Sequence, residues 1–142
     1  MRLPFASLLL LAGAALLPAQ DLKWKNTLLI QLQVSDLERS VRFYTDVLGF
    51  RVSERRDDLG FVHIETGMTG LQIGLSAGRP PAPGSSVLNF GVAGDIEKAR
   101  KFLEAKGVTF LGPTQVIPGK VKLASFRDPD GYTIRLAGEP RD

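Results

Sequence analysis

Two short segments carry side chains that could do chemistry. "FVHIE" at 61–65 holds His63, the only histidine of the chain, two residues before Glu65. "FRDPDGYTIRLA" at 126–137 ends in a strand-like stretch with a single charge, Arg135. An imidazole or a carboxylate can transfer a proton, and a guanidinium can bind a carboxylate or phosphate through two hydrogen bonds. The sequence thus points to proton transfer or to anion binding, depending on how the surrounding elements position these groups.

The N-terminal segment differs in composition from the rest of the chain. Arg2 is the only charged residue before Asp21, an apolar run extends from Leu8 to Leu17, and Ala19 offers a small residue at a cleavage point. This pattern predicts a signal peptide over residues 1–19 and an exported protein, periplasmic or secreted, with no membrane attachment after cleavage. A retained N-terminal anchor is the alternative, but the run is short for a membrane span.

Composition limits the classes of function. With 142 residues, 44% of them hydrophobic, the chain can form a domain with a proper core. It has no cysteine, which excludes disulfides and thiol chemistry. Loss of Arg2 with the leader would reduce the net charge of +3 to +2, and basic and acidic residues alternate along the chain. We therefore expect no nucleic-acid partner.

Residues 27–77 have the pattern of a β-α-β-β-β module. In "LLIQLQV" four apolar residues share one strand face, while Leu29, Gln31 and Gln33 share the other. Ser35 and Glu38 have capping-box spacing, and apolar residues recur at helical intervals before a glycine ends the helix. Extended stretches are predicted near 50–55, 61–66 and 71–76, separated by turn-forming residues.

The same order of elements returns after a linker, "GRPPAPGSS" at 78–86. In residues 87–137, "VLNFGV" alternates like the first strand, Asp95 caps a predicted helix, and Gly107 ends it. Extended segments are predicted near 108–111, 121–126 and 132–137. The two halves predict an internal repeat of two modules and an α+β fold.

"VSDLERSVRFYTDVLGFRV" and "FRDPDGYTIRL" together resemble the vicinal oxygen chelate superfamily, the group of glyoxalase I, extradiol dioxygenases, and fosfomycin and bleomycin resistance proteins. The resemblance spans residues 27–137 and implies two βαβββ modules forming a curved mixed sheet around a cavity. A second subunit frequently completes that cavity, so we expect a homodimer. Whether modules pair within one chain or between two stays open.

The superfamily's enzymes hold a divalent metal with ligands from four inward positions. By resemblance these positions fall on Leu29, Gly74, Val87 and Arg135. Leucine, valine and glycine side chains offer no oxygen or nitrogen, and a guanidinium stays protonated and repels a cation. We therefore expect neither a metal nor another cofactor.

If Leu29 faces the cavity, strand parity places a set of polar residues on the same wall: Gln31, Gln33, Gln72, Asn89 and Arg135, together with His63. These are the predicted ligand-binding residues, although solvated amides or a structural histidine would give the same pattern. Arg135 would pair with Glu65, bind an anionic ligand or simply be exposed to solvent. The slightly basic balance and Arg135 favour a neutral or anionic small molecule over a cation.

Two classes of function remain after this reasoning. The favoured class is a metal-independent protein that binds a small molecule and performs no reaction, as the bleomycin-binding members of the superfamily do. The alternative is an enzyme of the glyoxalase, lyase, isomerase or dioxygenase type, in which His63 or Glu65 would act as the base.

Overall fold

A computed structural model describes residues 26–84 and 86–140; the predicted leader, residues 1–19, lies outside these ranges. The first module contains β1 (Leu28–Val34), α1 (Leu37–Arg42), β2 (Arg51–Arg56), β3 (Phe61–Glu65) and β4 (Leu71–Ala77). A π-helical turn, Phe43–Val47, prolongs α1, and a 3₁₀ turn, Asp57–Leu59, joins β2 to β3. The second module contains β5 (Val87–Gly91), α2 (Ile96–Ala105), β6 (Gln115–Ile117), β7 (Val121–Arg127) and β8 (Thr133–Gly138).

Each module forms its own four-stranded mixed sheet. The strand orders are β1-β4-β3-β2 and β5-β8-β7-β6. The first and last strands of each module run parallel, because a helix crosses over between them, and the other neighbours are antiparallel. The predicted α+β fold of two βαβββ modules is therefore confirmed.

One face of each sheet is apolar and packs against a helix. α1 lies on β4, and α2 lies on β7 and β8. The strand residues facing these helices are almost fully buried: Leu32, Val34, Val62, Ile64, Ile73, Leu75, Ala124, Phe126, Ile134 and Leu136. They belong to a single apolar cluster that spans both modules. The opposite face of each sheet is left uncovered by its own helix, and this uncovered face is called the open face below.

The first helix begins one residue later than the capping-box prediction required. Asp36, not Ser35, is the N-cap, and its carboxylate accepts a hydrogen bond from the backbone N–H of Arg39 at 2.9 Å. Ser35 instead donates its hydroxyl to Asp130 of the second module. The prediction was wrong because a tertiary contact took the side chain that local spacing had assigned to the cap. In the second module the predicted cap is confirmed, since Asp95 accepts from the N–H of Glu97.

The strand predicted near 108–111 is also wrong. Phe110 makes only an isolated bridge to Phe126, and the regular strand β6 begins at Gln115. Gly112 and Pro113 separate the two, and proline has no N–H to donate to a ladder. The segment 111–114 consequently leads into β6 as a loop.

Polar side chains join the two modules. The hydroxyl of Tyr44 donates to Asp128 Oδ2 at 3.0 Å, and Asp128 Oδ1 accepts the N–H groups of Asp130 and Tyr132. The Tyr132 hydroxyl donates to the carbonyl of Gln33 at 2.9 Å. Burial raises the pKa of Asp128, although these hydrogen bonds oppose the rise. Burial and the nearby Asp128 charge raise the pKa of Tyr44 as well.

Within residues 26–84 and 86–140, no helix combines the length and the apolar character needed to cross a bilayer.

Candidate functional site

The predicted polar residues of the first module lie together on its open face. Gln31 pairs in register with Gly74, and Gly74 pairs with His63. Leu29 pairs with Gln72, and Gln72 pairs with Glu65. The parity predicted for "FVHIE" is right, because Val62 and Ile64 face the core and are fully buried. The structure fixes these positions, and the roles of the residues in ligand binding stay predictions.

The centre of this open face is filled by an aromatic ring. A Cβ atom added at Gly74 would lie 3.0 Å from Phe61 Cε2 and 3.3 Å from Gln31 Oε1. The Phe61 ring also packs edge-on against His63, with 4.4 Å between ring centroids. Gln31 donates to the hydroxyl of Ser76 beside it. The absence of a side chain at Gly74 thus makes room for Phe61 and Gln31.

His63 and Glu65 each have a charged neighbour from β2. His63 Nδ1 lies 3.4 Å from Glu54 Oε2, and Glu65 Oε2 lies 3.3 Å from Arg51 Nη2. A register shift between Val52 and Glu54 brings Glu54 opposite His63. Sequence reasoning missed both partners: Glu54 reaches His63 only because of this β-bulge, whereas Arg51 pairs with Glu65 in regular register before it. Glu65, which had been considered as a partner for Arg135, thus forms an ion pair with Arg51.

On the open face of the second sheet, Arg135 lies between Asn89 and Ser125. Asn89 and Ser125 are its register partners on β5 and β7. Its Nε donates to Ser125 Oγ at 3.3 Å, and the side chain is half-buried. Across residues 26–84 and 86–140, Arg135 has no carboxylate within ion-pair distance. Glu65, one of the partners considered from the sequence, pairs instead with Arg51, and anion binding by Arg135 stays a prediction.

A second cation on this face was not identified from the sequence. Arg127 follows Ser125 by two residues on β7 and pairs in register with Thr133. Arg127 Nη2 and Thr133 Oγ1 each come within 3.9 Å of a Cβ built at Gly84 of the linker. The alternation of β7 could have revealed it, because Phe126 faces the core and so both of its neighbours face outward.

Each open face has a shallow pocket of its own. The pocket on the second sheet has a volume of about 150 Å³ and is lined by Leu111, Gly112, Pro113, Gln115, Leu123 and Ser125. A pocket of about 400 Å³ at the start of β1 includes Leu29, Glu65, Met68 and Gln72. A third, apolar pocket of about 290 Å³ lies on the helix side, between Phe50, Phe90 and Phe102. The polar residues predicted from the sequence are thus divided between two separate faces within one chain.

The two-module topology, with one open face on each sheet, matches a known family. The family model of the Glyoxalase/Bleomycin resistance protein/Dioxygenase superfamily matches residues 27–136. The chain belongs to this superfamily. The "SDLERSVRFYTDVLGF" helix and the "DPDGY" turn, which carried the resemblance at the sequence level, are the segments that join the two modules through Tyr44 and Asp128.

Two proteins similar to this chain come from Arabidopsis thaliana and Sphaerobacter thermophilus DSM 20745. A "Probable lactoylglutathione lyase, chloroplastic" from Arabidopsis thaliana is 29% identical, and the match covers 79% of this chain and 35% of that protein. The chain thus spans about a third of the length of that curated relative. A superfamily member from Sphaerobacter thermophilus DSM 20745 is 28% identical, with a TM-score of 0.65 over 80% of this chain and 96% of that one.

A third similar protein carries a binding description. The antibiotic-binding protein TnmS3 from Streptomyces sp. CB03234 has a TM-score of 0.69 and 24% identity, and the match covers 83% of this chain and 98% of that one. At this identity the likeness demonstrates the shared fold. Function must be argued from the side chains of the present chain.

At the four positions where the resemblance places the superfamily's metal ligands, this chain has no metal-binding side chain. Leu29 and Gly74 lie on the first open face, and Val87 and Arg135 lie on the second. None of these side chains offers a lone pair to a cation, and Phe61 covers the Gly74 position. Among the described residues, no group of three or more histidine, aspartate, glutamate or cysteine side chains could hold a metal ion. The residues present do not fit the superfamily's divalent metal at these positions.

Proposed function

We propose that the chain is an exported, metal-independent protein that binds a neutral or anionic small molecule on its open faces and catalyses no reaction. The observation that carries the proposal is Arg135, which stands at an expected metal-ligand position and is held by the hydroxyl of Ser125. A half-buried guanidinium without a carboxylate partner among the described residues favours an anionic group brought by a ligand.

The electrostatics of the two faces support an anion over a cation. Arg127 adds a second positive charge to the face that holds Arg135, and neither arginine has a carboxylate among its strand neighbours. On the first sheet, by contrast, Glu65 and Glu54 are each beside a basic side chain. The antibiotic-binding description of TnmS3 is consistent with a binding function on this fold.

An enzymatic function is the second candidate, favoured by a specific contact. His63 lies against Glu54 at 3.4 Å, and such a pair orients an imidazole that accepts a proton. The name of the plant relative, a probable lactoylglutathione lyase, points to a lyase, and the name of the superfamily also includes dioxygenases. Without a metal, an enolate-like charge would have to be stabilised by Arg135 of a second copy, because His63 and Arg135 lie on different open faces of one chain.

A homodimer is part of the proposal. Each open face lines a pocket from one module, so a second copy that brings a first sheet opposite a second sheet would enclose the ligand. Export rests on the predicted signal peptide, residues 1–19. No nucleic-acid or membrane partner is proposed.

Metal independence predicts that the purified mature protein contains no stoichiometric transition metal. Its melting temperature should change by less than about 1 °C on addition of Mn²⁺, Ni²⁺, Zn²⁺ or Fe²⁺, because a tight site would stabilise the folded chain by mass action. Elemental analysis and thermal melts measure this. One equivalent of bound metal would refute metal independence.

Binding predicts that native mass spectrometry of protein taken from the producing cell shows a retained anionic molecule. The added mass should disappear in Arg135→Gln and persist in Arg42→Gln, a control that removes an exposed arginine of α1, away from the open faces. Loss in neither variant, together with lactoylglutathione formation that His63→Gln abolishes, would replace the binding function by the enzymatic one.

A further inference from the structure

The Arg135 guanidinium and the 150 Å³ pocket of the second sheet are adjacent, because both involve Ser125. We infer that this face binds a monocarboxylate with an apolar body about the size of one ring: Arg135 takes the carboxylate, and the pocket takes the body. The inference rests on the proposed binding function and specifies the chemical class of the ligand.

The head group follows from the hydrogen bonds of Arg135. Nε is used by Ser125 Oγ, and the two terminal nitrogens of this open-face side chain have no hydrogen-bond or ion-pair partner among the described residues. Two parallel N–H groups match the two oxygens of a carboxylate. One guanidinium at the rim of the pocket balances one negative charge. The register partners Asn89 and Ser125 add neutral polar groups beside it.

The body of the ligand follows from the walls of the pocket. Leu111, Pro113 and Leu123 present apolar surface, and Gly112, Gln115 and Ser125 complete a lining that is about equally polar and apolar. Leu111 is 55% exposed in the isolated chain, so a ligand would cover apolar surface that now faces water. A cavity of about 150 Å³ is the size that takes up a benzene molecule. A single aromatic or alicyclic ring therefore fits, and a larger body would protrude.

The position of Arg127 provides a matched control. Leu123, Ser125 and Arg127 lie in a row on the open side of β7, about 7 Å apart from one to the next. The pocket lies at the Leu123 end, whereas Arg127 is at the opposite end beside Thr133. Arg127 therefore contributes a positive potential without reaching a carboxylate whose ring is in the pocket.

The experiment uses benzoate as the probe, titrated into the protein by isothermal calorimetry or by NMR. Benzamide has the same shape without the charge, and acetate has the charge without the ring. Benzoate is expected to bind at least 10-fold more tightly than either. Arg135→Gln should weaken benzoate at least 10-fold, and Arg127→Gln less than 3-fold. Leu123→Gln should weaken it about 10-fold, whereas Val116→Gln, on the other side of β6, should have no effect.

The outcomes separate this inference from the binding function on which it rests. If acetate and benzoate bind equally and both depend on Arg135, the anion site stands and the apolar pocket is refuted. If benzoate depends on Leu123 but binds unchanged to Arg135→Gln, the carboxylate contact is refuted. If no anion binds in a way that depends on Arg135, the inference and the proposed anion binding fail together. Circular dichroism of each variant confirms that the fold is retained.

Discussion

Replacement of Asp128 by alanine is expected to lower the free energy of unfolding by about 3–4 kcal/mol. The carboxylate is 5% exposed and accepts three hydrogen bonds, from the Tyr44 hydroxyl and from the N–H groups of Asp130 and Tyr132. Without it, the fully buried Tyr44 hydroxyl loses its acceptor and the turn before β8 loses its anchor. Urea denaturation measures the effect.

Two further variants test this explanation. Asp128→Asn keeps one acceptor oxygen for the turn and should cost only about 1 kcal/mol. In the Asp128→Ala background, Tyr44→Phe should recover part of the loss, because it removes the hydroxyl left without a partner. If Tyr44→Phe instead destabilises both backgrounds equally, the Tyr44 hydroxyl and Asp128 are not coupled.

The raised pKa of Asp128 also predicts the direction in which stability changes with pH. Burial raises the pKa of Asp128, so the folded chain binds the proton more tightly than the unfolded chain does. Protonation of Asp128 therefore stabilises the folded chain most below the pKa of the unfolded chain, about 3.9. This stabilisation is lost as the pH rises through the higher pKa that Asp128 has in the folded chain. Asp128→Asn lacks this titration. The stability advantage of the native chain over Asp128→Asn should accordingly shrink from acidic to neutral pH.

The alternation of residues along the strands predicted which side chains lie on the open faces, but it did not predict which charged side chains pair there. The alternation in β1 and β3 gave the correct side for Gln31 and His63, because a strand has a period of two and one face must be buried. The partner of His63 depends on a bulge in β2, where one extra residue shifts Glu54 into position. Such an irregularity is set by the fit between strands and leaves no simple periodic signal.

The other differences have both long-range and local causes. Ser35 had the spacing of a cap, yet it bonds to Asp130, 95 positions away. Phe110 had the apolar surroundings of a strand, yet Gly112 and Pro113 move the regular pairing to Gln115. Arg127 lies on the same open face as Arg135 because of the register between β7 and β8. Only the contact of Ser35 lies beyond local reasoning, whereas the Gly112–Pro113 break and the alternation that places Arg127 are local features of the sequence.

Replacement of Phe126 by alanine is expected to have the largest effect on stability, about 3–5 kcal/mol. The ring is fully buried on the core face of β7, 5.1 Å from Phe110 and 6.4 Å from Phe43 between centroids. Phe43 belongs to the first module, so the cavity left by the substitution would lie at the junction of the two modules. Chemical denaturation followed by far-ultraviolet circular dichroism measures the loss.

Phe102→Ala is the matched control, because this ring is 60% exposed and contacts the Lys106 ammonium from the surface of α2. It should cost less than about 1 kcal/mol. Because Phe43 and Phe126 share one apolar cluster, Phe126→Ala should shift a single unfolding transition rather than create two. Two separate transitions in the native chain would mean that each module folds alone. The junction formed by Phe43, Tyr44, Phe126 and Asp128 would then not control stability, and both stability predictions would fail together.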